Sequence, residues 1–349
     1  MTIAYIVPSL APLGPVIVVR NLVERMVAHG HQCMVFYFDE KELVMEFACP
    51  TKRISFWKKE DFRGFDWVHV HSFRPMVYAA RIRHARKMTT MHSYIFTEYL
   101  YSLGRRKGNW LGHLTIWLAK RFQRVVVLSE DAKKYYGQWI PNEKLRVCYN
   151  GVRIAQSNNE RLSLQYTQDV EQIERFKGGN ILVGCISELV PIKNVESMVQ
   201  ALALLPEKYS LLLIGSGDSE LQLKGLSTEL GLMNRVLFLG ERTEAHRYLP
   251  MVDIFAMTSV SEGFCMSLVE AAMYGKRIVC ADIPGMREKF TDEEVTFYEM
   301  GNAKQLAAAI VDATANNKVP KALQRSELFS TERMYENYMK IYEECEALV

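Results

Sequence analysis

The chain has 349 residues, 49% of them apolar, 24% charged and 11% aromatic, with a formal net charge of +3. Its length suggests two domains, each able to bury its own core, and its composition excludes disorder, collagen and coiled coil. No apolar run approaches the roughly 18–20 residues that span a bilayer, and Met1-Thr2-Ile3-Ala4-Tyr5 has neither the basic region nor the cleavage site of a signal peptide.

In chain order, Ile3–Val7 predicts a first strand, then a loop with Pro12, Gly14 and Pro15, then an amphipathic helix to about His29. Further strands are predicted at Cys33–Phe38, Trp67–His71, Lys87–Met91, Arg124–Leu128 and Leu145–Tyr149. Asn150-Gly151 is a turn signal, and residues 153–178 are polar and pattern-poor, so a domain boundary is expected there. The alternation restarts with strands at Ile181–Ile186, Ser210–Ile214, Val236–Leu239, Ile254–Met257 and Arg277–Ala281. Helices fit near 193–204, 218–230, 242–250, 265–275 and 303–316, and a last one near 331–347 has an apolar stripe through Met334, Tyr338, Ile341, Tyr342 and Cys345. This pattern predicts an α/β protein of two Rossmann-like domains, with ligands at the C-terminal strand ends in a cleft between them. The expected division is 1–155, 156–330, and a C-terminal helix, 331–349, crossing back to the first domain.

The small net charge hides an asymmetry. The first 153 residues hold 24 Lys and Arg against 12 Asp and Glu, a net of +12, which leaves −9 for the remainder. A basic half is expected to face something anionic. Two clusters stand out, Arg81, Arg83, Arg86, Lys87 and Arg105, Arg106, Lys107, the second followed by Trp110, Leu111, Leu114, Ile116, Trp117 and Leu118. Basic residues beside such a helix suit an anionic membrane surface, the bland alternative being a docked helix with a solvated face. No nucleic-acid recognition motif accompanies the charge. The seven cysteines, Cys33, Cys49, Cys148, Cys185, Cys265, Cys280 and Cys345, form no CxxC pair and read as reduced core thiols of a cytosolic protein.

The strongest chemical signal is Ser259-Val260-Ser261-Glu262-Gly263-Phe264-Cys265-Met266-Ser267-Leu268-Val269-Glu270, which follows a strand and opens a helix. Amides at residues 263–267 are expected to form an anion cradle at the positive helix end. Gly263 allows close approach, Glu270 is placed to accept from a diol, and Glu262 to touch a polar ligand group. Both glutamates also fit as helix-dipole charges. Lys193 leaves a strand end on the same expected sheet edge and suits a phosphate, although a single lysine there is also simply solvated. Gly215-Ser216-Gly217-Asp218 lacks the third glycine of a dinucleotide fingerprint, since residue 220 is Glu. There is no Asp-x-Asp pair. His69 and His71 share a strand without a carboxylate or cysteine cluster and read as satisfied core histidines, whereas His92 sits at a strand tip, and Gly14 in the first loop is similarly placed.

In this order the residues resemble glycosyltransferase family 4, a retaining family of the GT-B fold. The resemblance runs through Leu189-Val190-Pro-x-Lys193-Asn194, Leu213-Ile214-Gly215-x-Gly217, Arg235-Val236-x-Phe238-Leu239-Gly240, Glu262 and Glu270 as an E-x7-E element, and Pro284-Gly285-x-x-Glu288. The first half matches through Gly14, His29-Gly30-His31, Asp66-x-x-His69-x-His71, His92 and Asn150-Gly151-Val152. The resemblance implies a nucleotide-sugar donor, UDP-sugar favoured, with Lys193 on the diphosphate and Glu270 on the ribose. It places Gly263, Phe264, Cys265, Met266 and Ser267 on phosphate and sugar, and Gly240 and Glu241 at the base. Gly215 belongs with these donor-binding residues; Glu262, His92 and Gly14 stand at the donor sugar. Catalysis is then expected from His92, Glu262 and Lys193, with retention and with neither metal nor cofactor. The expected product is a surface polysaccharide, lipopolysaccharide O-antigen or capsule, extended by a hexosyl or N-acetylhexosaminyl residue on a lipid-diphosphate-linked saccharide. The expected location is the inner face of the cell membrane. Two departures, Ser187-Glu188 for the usual Gly-Arg and Gly14-Pro15 for Gly-Gly, support an alternative, a catalytically silent GT-B module serving a partner enzyme; a nucleotide-sugar epimerase fits the E-x7-E element poorly.

Overall fold

Apolar runs buried on both faces pair most economically in parallel, with helices covering each face, and two such sheets form in the computed structural model, which describes residues 1–153 and 164–344. The chain divides into two units, Met1–Arg153 with Phe329–Val349, and Ile154–Leu328.

The first unit opens with β1 (Thr2–Ser9), α1 (Gly14–Ala28), β2 (Gln32–Asp39), β3 (Thr51–Arg53), β4 (Trp67–His71) and α2 (Phe73–Ala79). It continues with β5 (Arg86–Met91), α3 (Ile95–Ala119), β6 (Arg124–Val127), α4 (Glu130–Gly137) and β7 (Leu145–Val147). The seven strands are parallel in the order β3-β2-β1-β4-β5-β6-β7. All five residues of β4 are buried, with Ile3 of β1 opposite Trp67.

The second unit contains α5 (Leu164–Lys177), β8 (Ile181–Ile186), α6 (Val195–Leu204), β9 (Tyr209–Ile214), α7 (Glu220–Glu229) and β10 (Val236–Gly240). Then come β11 (Ile254–Met257), α8 (Met266–Met273), β12 (Arg277–Ala281), α9 (Met286–Lys289), β13 (Thr296–Tyr298), α10 (Ala303–Ala315) and α11 (Val319–Ser326). Its six parallel strands run β10-β9-β8-β11-β12-β13. Both orders reverse direction beside the first strand of the unit, at β1/β4 and at β8/β11, and loops leaving the strands there diverge to opposite faces and open a crevice.

The chain returns to the first unit through α12 (Thr331–Glu343). Its apolar stripe buries Met334, Tyr338, Ile341 and Tyr342, and Val152 forms a bridge with Ser330. The Asn150-Gly151 turn is needed for closeness: a Cβ on Gly151 would lie 2.5 Å from Thr331 Cα. The predicted extension to 347, with Cys345, and the predicted boundary at 155/156 lie outside the described residues.

Three expectations are corrected. The stretch expected to be pattern-poor contains α5, whose Ile173 is buried with Tyr248 and Val252 while Tyr166 packs at its edge. The helix expected near 242–250 is a 3-10 segment, Ala245–Met251, with Pro250 inside it, where proline removes a helical donor. The strands β3 and β13 escape the alternation because each has only three residues at a sheet edge.

Candidate active site

The β8/β11 crevice of the second unit collects the sharpest signals. After β8 the chain makes a 3-10 turn, Pro191–Lys193, and Asn194 takes a left-handed φ of 50°. After β11, Thr258 and Ser259 are buried and Cys265 adopts φ 60° at the head of α8. Among the described residues, the non-glycines at positive φ are Ser72, Asn194, Glu244 and Cys265, each in a connection that leaves the C-terminal end of a strand. A non-glycine there is strained, and such strain collects where backbone geometry serves a ligand.

Lys193 and Glu262 come together in this crevice. Lys193 Nζ donates to Glu262 Oε1 at 2.7 Å, and Ser259 Oγ donates to the same oxygen at 2.7 Å. Thr258 Oγ1 donates to the Lys193 carbonyl at 2.8 Å, which fixes the lysine backbone to the end of β11. Burial alone would lower the Lys193 pKa, but the Glu262 carboxylate overrides it and holds the ammonium above the ordinary lysine value. Glu270, one turn into α8, is partly buried, and desolvation raises its carboxyl to about 7. An ammonium and a carboxylate thus meet just before α8, and a carboxyl poised near neutrality lies one turn into the same helix. The departure at Glu188 is exposed and solvated.

Neighbouring loops support this entrance. A Cβ on Gly215 would sit 1.9 Å from the Ser187 carbonyl oxygen, and one on Gly217 would sit 2.5 Å from that of Leu189, so both glycines permit backbone contact between the loops after β8 and β9. Gly215 N donates to Gly240 O at 2.9 Å and Ser216 Oγ to Glu241 Oε2 at 3.3 Å, which gathers Gly215, Gly240 and Glu241 at one edge. Sequence reasoning missed the adjoining cluster, in which Asp169 accepts from Arg242 at 2.6 and 2.9 Å and from Tyr248 at 2.7 Å. Missing α5 hid it.

In the first unit the strand histidines form a buried polar network. His69 meets Tyr342 Oη through Nδ1 at 2.7 Å and Thr90 Oγ1 through Nε2 at 2.8 Å, and Thr90 continues to Tyr338 at 2.9 Å. His71 Nδ1 lies 2.8 Å from His92 Nε2. Burial lowers His69 and His92 to about 3 and His71 well below its usual value, so all three are neutral. Because His71 Nε2 is buried without a partner, the less costly tautomer protonates Nδ1, which donates to His92 and leaves the His92 proton on its outer nitrogen. Gly14 opens α1, directly followed by Pro15.

Two family models match the chain: Glycosyltransferase Family 4 over residues 14–156 and Glycosyl transferases group 1 over residues 167–327. The chain belongs to glycosyltransferase family 4. The O-antigen biosynthesis glycosyltransferase WclY of Escherichia coli is 29% identical over 328 residues, 90% of each chain. The N-acetylgalactosamine-N,N'-diacetylbacillosaminyl-diphospho-undecaprenol 4-alpha-N-acetylgalactosaminyltransferase of Campylobacter jejuni is 26% identical over 185 residues, 52% of this chain and 48% of that one. The crystal structure of Anabaena HepE in complex with UDP and glucose superimposes with a TM-score of 0.81 at 22% identity, covering 99% of this chain and 100% of that one. That likeness shows the GT-B fold of two Rossmann-like domains.

In this glycosyltransferase the expected basic surface is only partly exposed. Arg83, Arg105, Arg106 and Lys107 are exposed, Arg86 is half-buried, and Arg81 is exposed while donating to the Phe56 carbonyl. Lys87 is a correction: it is 9% exposed, and its ammonium donates to Ile82 O at 2.9 Å, so it belongs to the interior. Along α3, which is interrupted at Gly104, Trp110 and Trp117 are 68% and 50% exposed, with Leu100, Tyr101 and Leu103 also outward. Ile116 and Leu118 face the core, and Arg121 stacks on Trp117 at 3.6 Å. Among the described residues no helix is long and apolar enough to cross a membrane.

Proposed function

We propose that this glycosyltransferase moves a hexosyl or N-acetylhexosaminyl residue from a UDP-sugar to a lipid-diphosphate-linked saccharide, with retention and without a metal, in surface-polysaccharide assembly such as O-antigen or capsule. The observation that carries the reading is the Lys193–Glu262 pair just before α8, with Glu270 one turn into that helix. The bond that breaks joins the anomeric carbon to the diphosphate; the bond that forms joins that carbon to an acceptor hydroxyl, whose proton passes to the departing phosphate. Lys193 and the amides of Gly263, Phe264, Cys265, Met266 and Ser267 would meet the negative charge that develops on the leaving group. Glu270 would accept from the ribose hydroxyls, Gly215, Gly240 and Glu241 would border the base, and Glu262 the sugar. His92, neutral and oriented by His71, is the first-unit side chain assigned to the donor sugar, with Gly14 in the same role through its backbone.

UDP is favoured by the neighbour crystallised with UDP and glucose, and a diphospho-undecaprenol acceptor by the name of the Campylobacter relative. The exposed tryptophans of α3 beside Arg105, Arg106 and Lys107 suit a peripheral contact with the anionic inner face of the membrane. Replacing Trp110 and Trp117 together by alanine is expected to reduce co-sedimentation with phosphatidylglycerol vesicles by about fivefold or more, without lowering donor hydrolysis. Equal sedimentation would leave a solvated helix face.

The deciding experiment is a panel of UDP-, GDP- and dTDP-sugars, read by thermal shift and by slow donor hydrolysis. The matching nucleotide is expected to raise Tm by about 5–10 °C at 100 times its Kd, and the anomeric configuration of the product reports retention. Binding without hydrolysis or transfer would favour the silent module, and no shift with any nucleotide would end the donor reading.

A further inference from the structure

Among the described Lys, Arg, Asp and Glu residues, Lys289 is the least exposed, at 0%. It closes α9, and the Glu288 and Glu262 carboxylates favour its charge without hydrogen-bonding to its ammonium. Its ammonium instead donates to two backbone oxygens from different loops, Gly263 O at 3.3 Å and Gly285 O at 2.7 Å, with the Phe264 ring centroid 5.3 Å away. From the other side Arg325 of α11 donates to the carbonyls of Lys289 and Glu288 at 2.7 and 3.0 Å, which seals the lysine under the loop. An ammonium whose hydrogen bonds go only to neutral acceptors in the interior is costly, since burial outweighs the attraction of Glu288 and Glu262, and an apolar chain of the same length would fill the space without that cost. Stability therefore does not account for the charge.

We propose that Lys289 is a positioning residue of the donor site: its ammonium ties the Gly263 peptide to the Gly285 turn and puts a positive charge beneath the entrance of α8, where the donor diphosphate binds. This rests on the donor reading above. A peptide whose carbonyl accepts from a cation is polarised, so its N–H becomes a stronger donor, and a charge on the inner side of the helix entrance adds to the field of the helix itself. Lys193 would approach the anion from the open side and Lys289 would act from within.

Burial pulls the Lys289 ammonium down to about 8. The groups facing it are Glu288 on its own helix, Glu262 and Cys265 from the loop after β11, Cys280 from β12, and the Arg325 guanidinium. Cys265 is raised to about 12 and Cys280 well above its usual value, so neither thiol ionises near pH 8. A bound diphosphate stabilises the protonated lysine, so nucleotide binding should weaken as pH rises through 8 and should take up a proton there.

The test is titration calorimetry of the full chain with UDP alone from pH 7.5 to 9, repeated at pH 8.5 in two buffers of different ionisation enthalpy. Wild-type affinity is expected to fall about fivefold across that range, with proton uptake at pH 8.5. Lys289→Met is expected to bind UDP about tenfold more weakly at pH 7.5, with a flat profile, no proton uptake and an undiminished Tm. A Lys289→Met protein with wild-type affinity and profile would overturn the inference, and so would a wild type without the alkaline decline, which decides the matter even if the variant does not fold. Absence of binding to UDP, GDP and dTDP by the wild type would bring down the donor reading and this inference together; failure at Lys289 alone leaves the donor reading standing.

Discussion

Replacing Lys193 by alanine is expected to lower kcat/KM for glycosyl transfer by about 10²–10³-fold, the effect of removing one preorganised donor from a developing anion. The geometry explains why the loss should be catalytic before it is structural. Lys193 and Glu262 side chains are 22% and 13% exposed, so water screens the pair incompletely but still reaches it. Losing the ammonium leaves Glu262 with the Ser259 hydroxyl and solvent, and a stability change of only about 1–2 kcal/mol is expected. Steady-state kinetics and a melting curve on the same preparation separate the two effects. An activity within threefold of wild type would remove Lys193 from the reaction. Lys193→Arg keeps the charge but spreads it over a planar fork, so recovery should be partial.

Substituting Glu270 by glutamine should make the protein more stable and less active. Its carboxyl sits at about 7 in the folded chain because burial disfavours the anion. The raised value means that the unfolded chain ionises first: stability falls as pH climbs from about 4.5 to 7 and keeps the full deficit above 7. That interval corresponds to at most roughly 3 kcal/mol, and glutamine, which never ionises, is expected to recover about 1–3 kcal/mol of it at pH 8 and almost none at pH 4.5. Melting curves at the two pH values give the comparison. Nucleotide affinity should move the other way, by about 10²-fold or more at pH 8, since a carboxylate accepts hydroxyl hydrogen bonds more strongly than an amide does. Wild-type affinity should accordingly rise between pH 6 and 7.5. A glutamine variant that is less stable at pH 8, or that binds nucleotide normally, would contradict the assignment. A site that gives up stability for function in this way is a familiar trade.

Much of this was legible in the residues themselves. Short β-branched and aromatic runs located β4, β8, β11 and β12 at their observed ends, because parallel strands buried along most of their length are apolar nearly throughout. The spacing of Lys193, Glu262, Gly263 and Glu270 around strand-to-helix transitions marked the candidate site, since a helix entrance is a local event that its own residues announce. Gly151, Gly215 and Gly217 could be noticed as turn residues, but what crowds them lies elsewhere in the chain.

The elements that sequence reasoning lost are those whose stability is not local. α5 is mostly polar and becomes a helix because Ile173 meets Tyr248 and Val252 and Asp169 meets Arg242, partners more than 70 residues away. Lys87 reads as one more charge in a basic run, yet its position on β5 turns it inward to the Ile82 carbonyl. Lys289 stands between glutamate and phenylalanine in a segment that looks like solvated surface, and only the closing of Gly263, Gly285 and α11 around it makes it interior. The sequence by itself determined the alternation of strands and helices, the charge polarity and the family motifs, which depend on neighbours a few residues apart. The tertiary structure alone decided which charges are desolvated and what they face, because burial is set by segments that meet only when the sheets have formed.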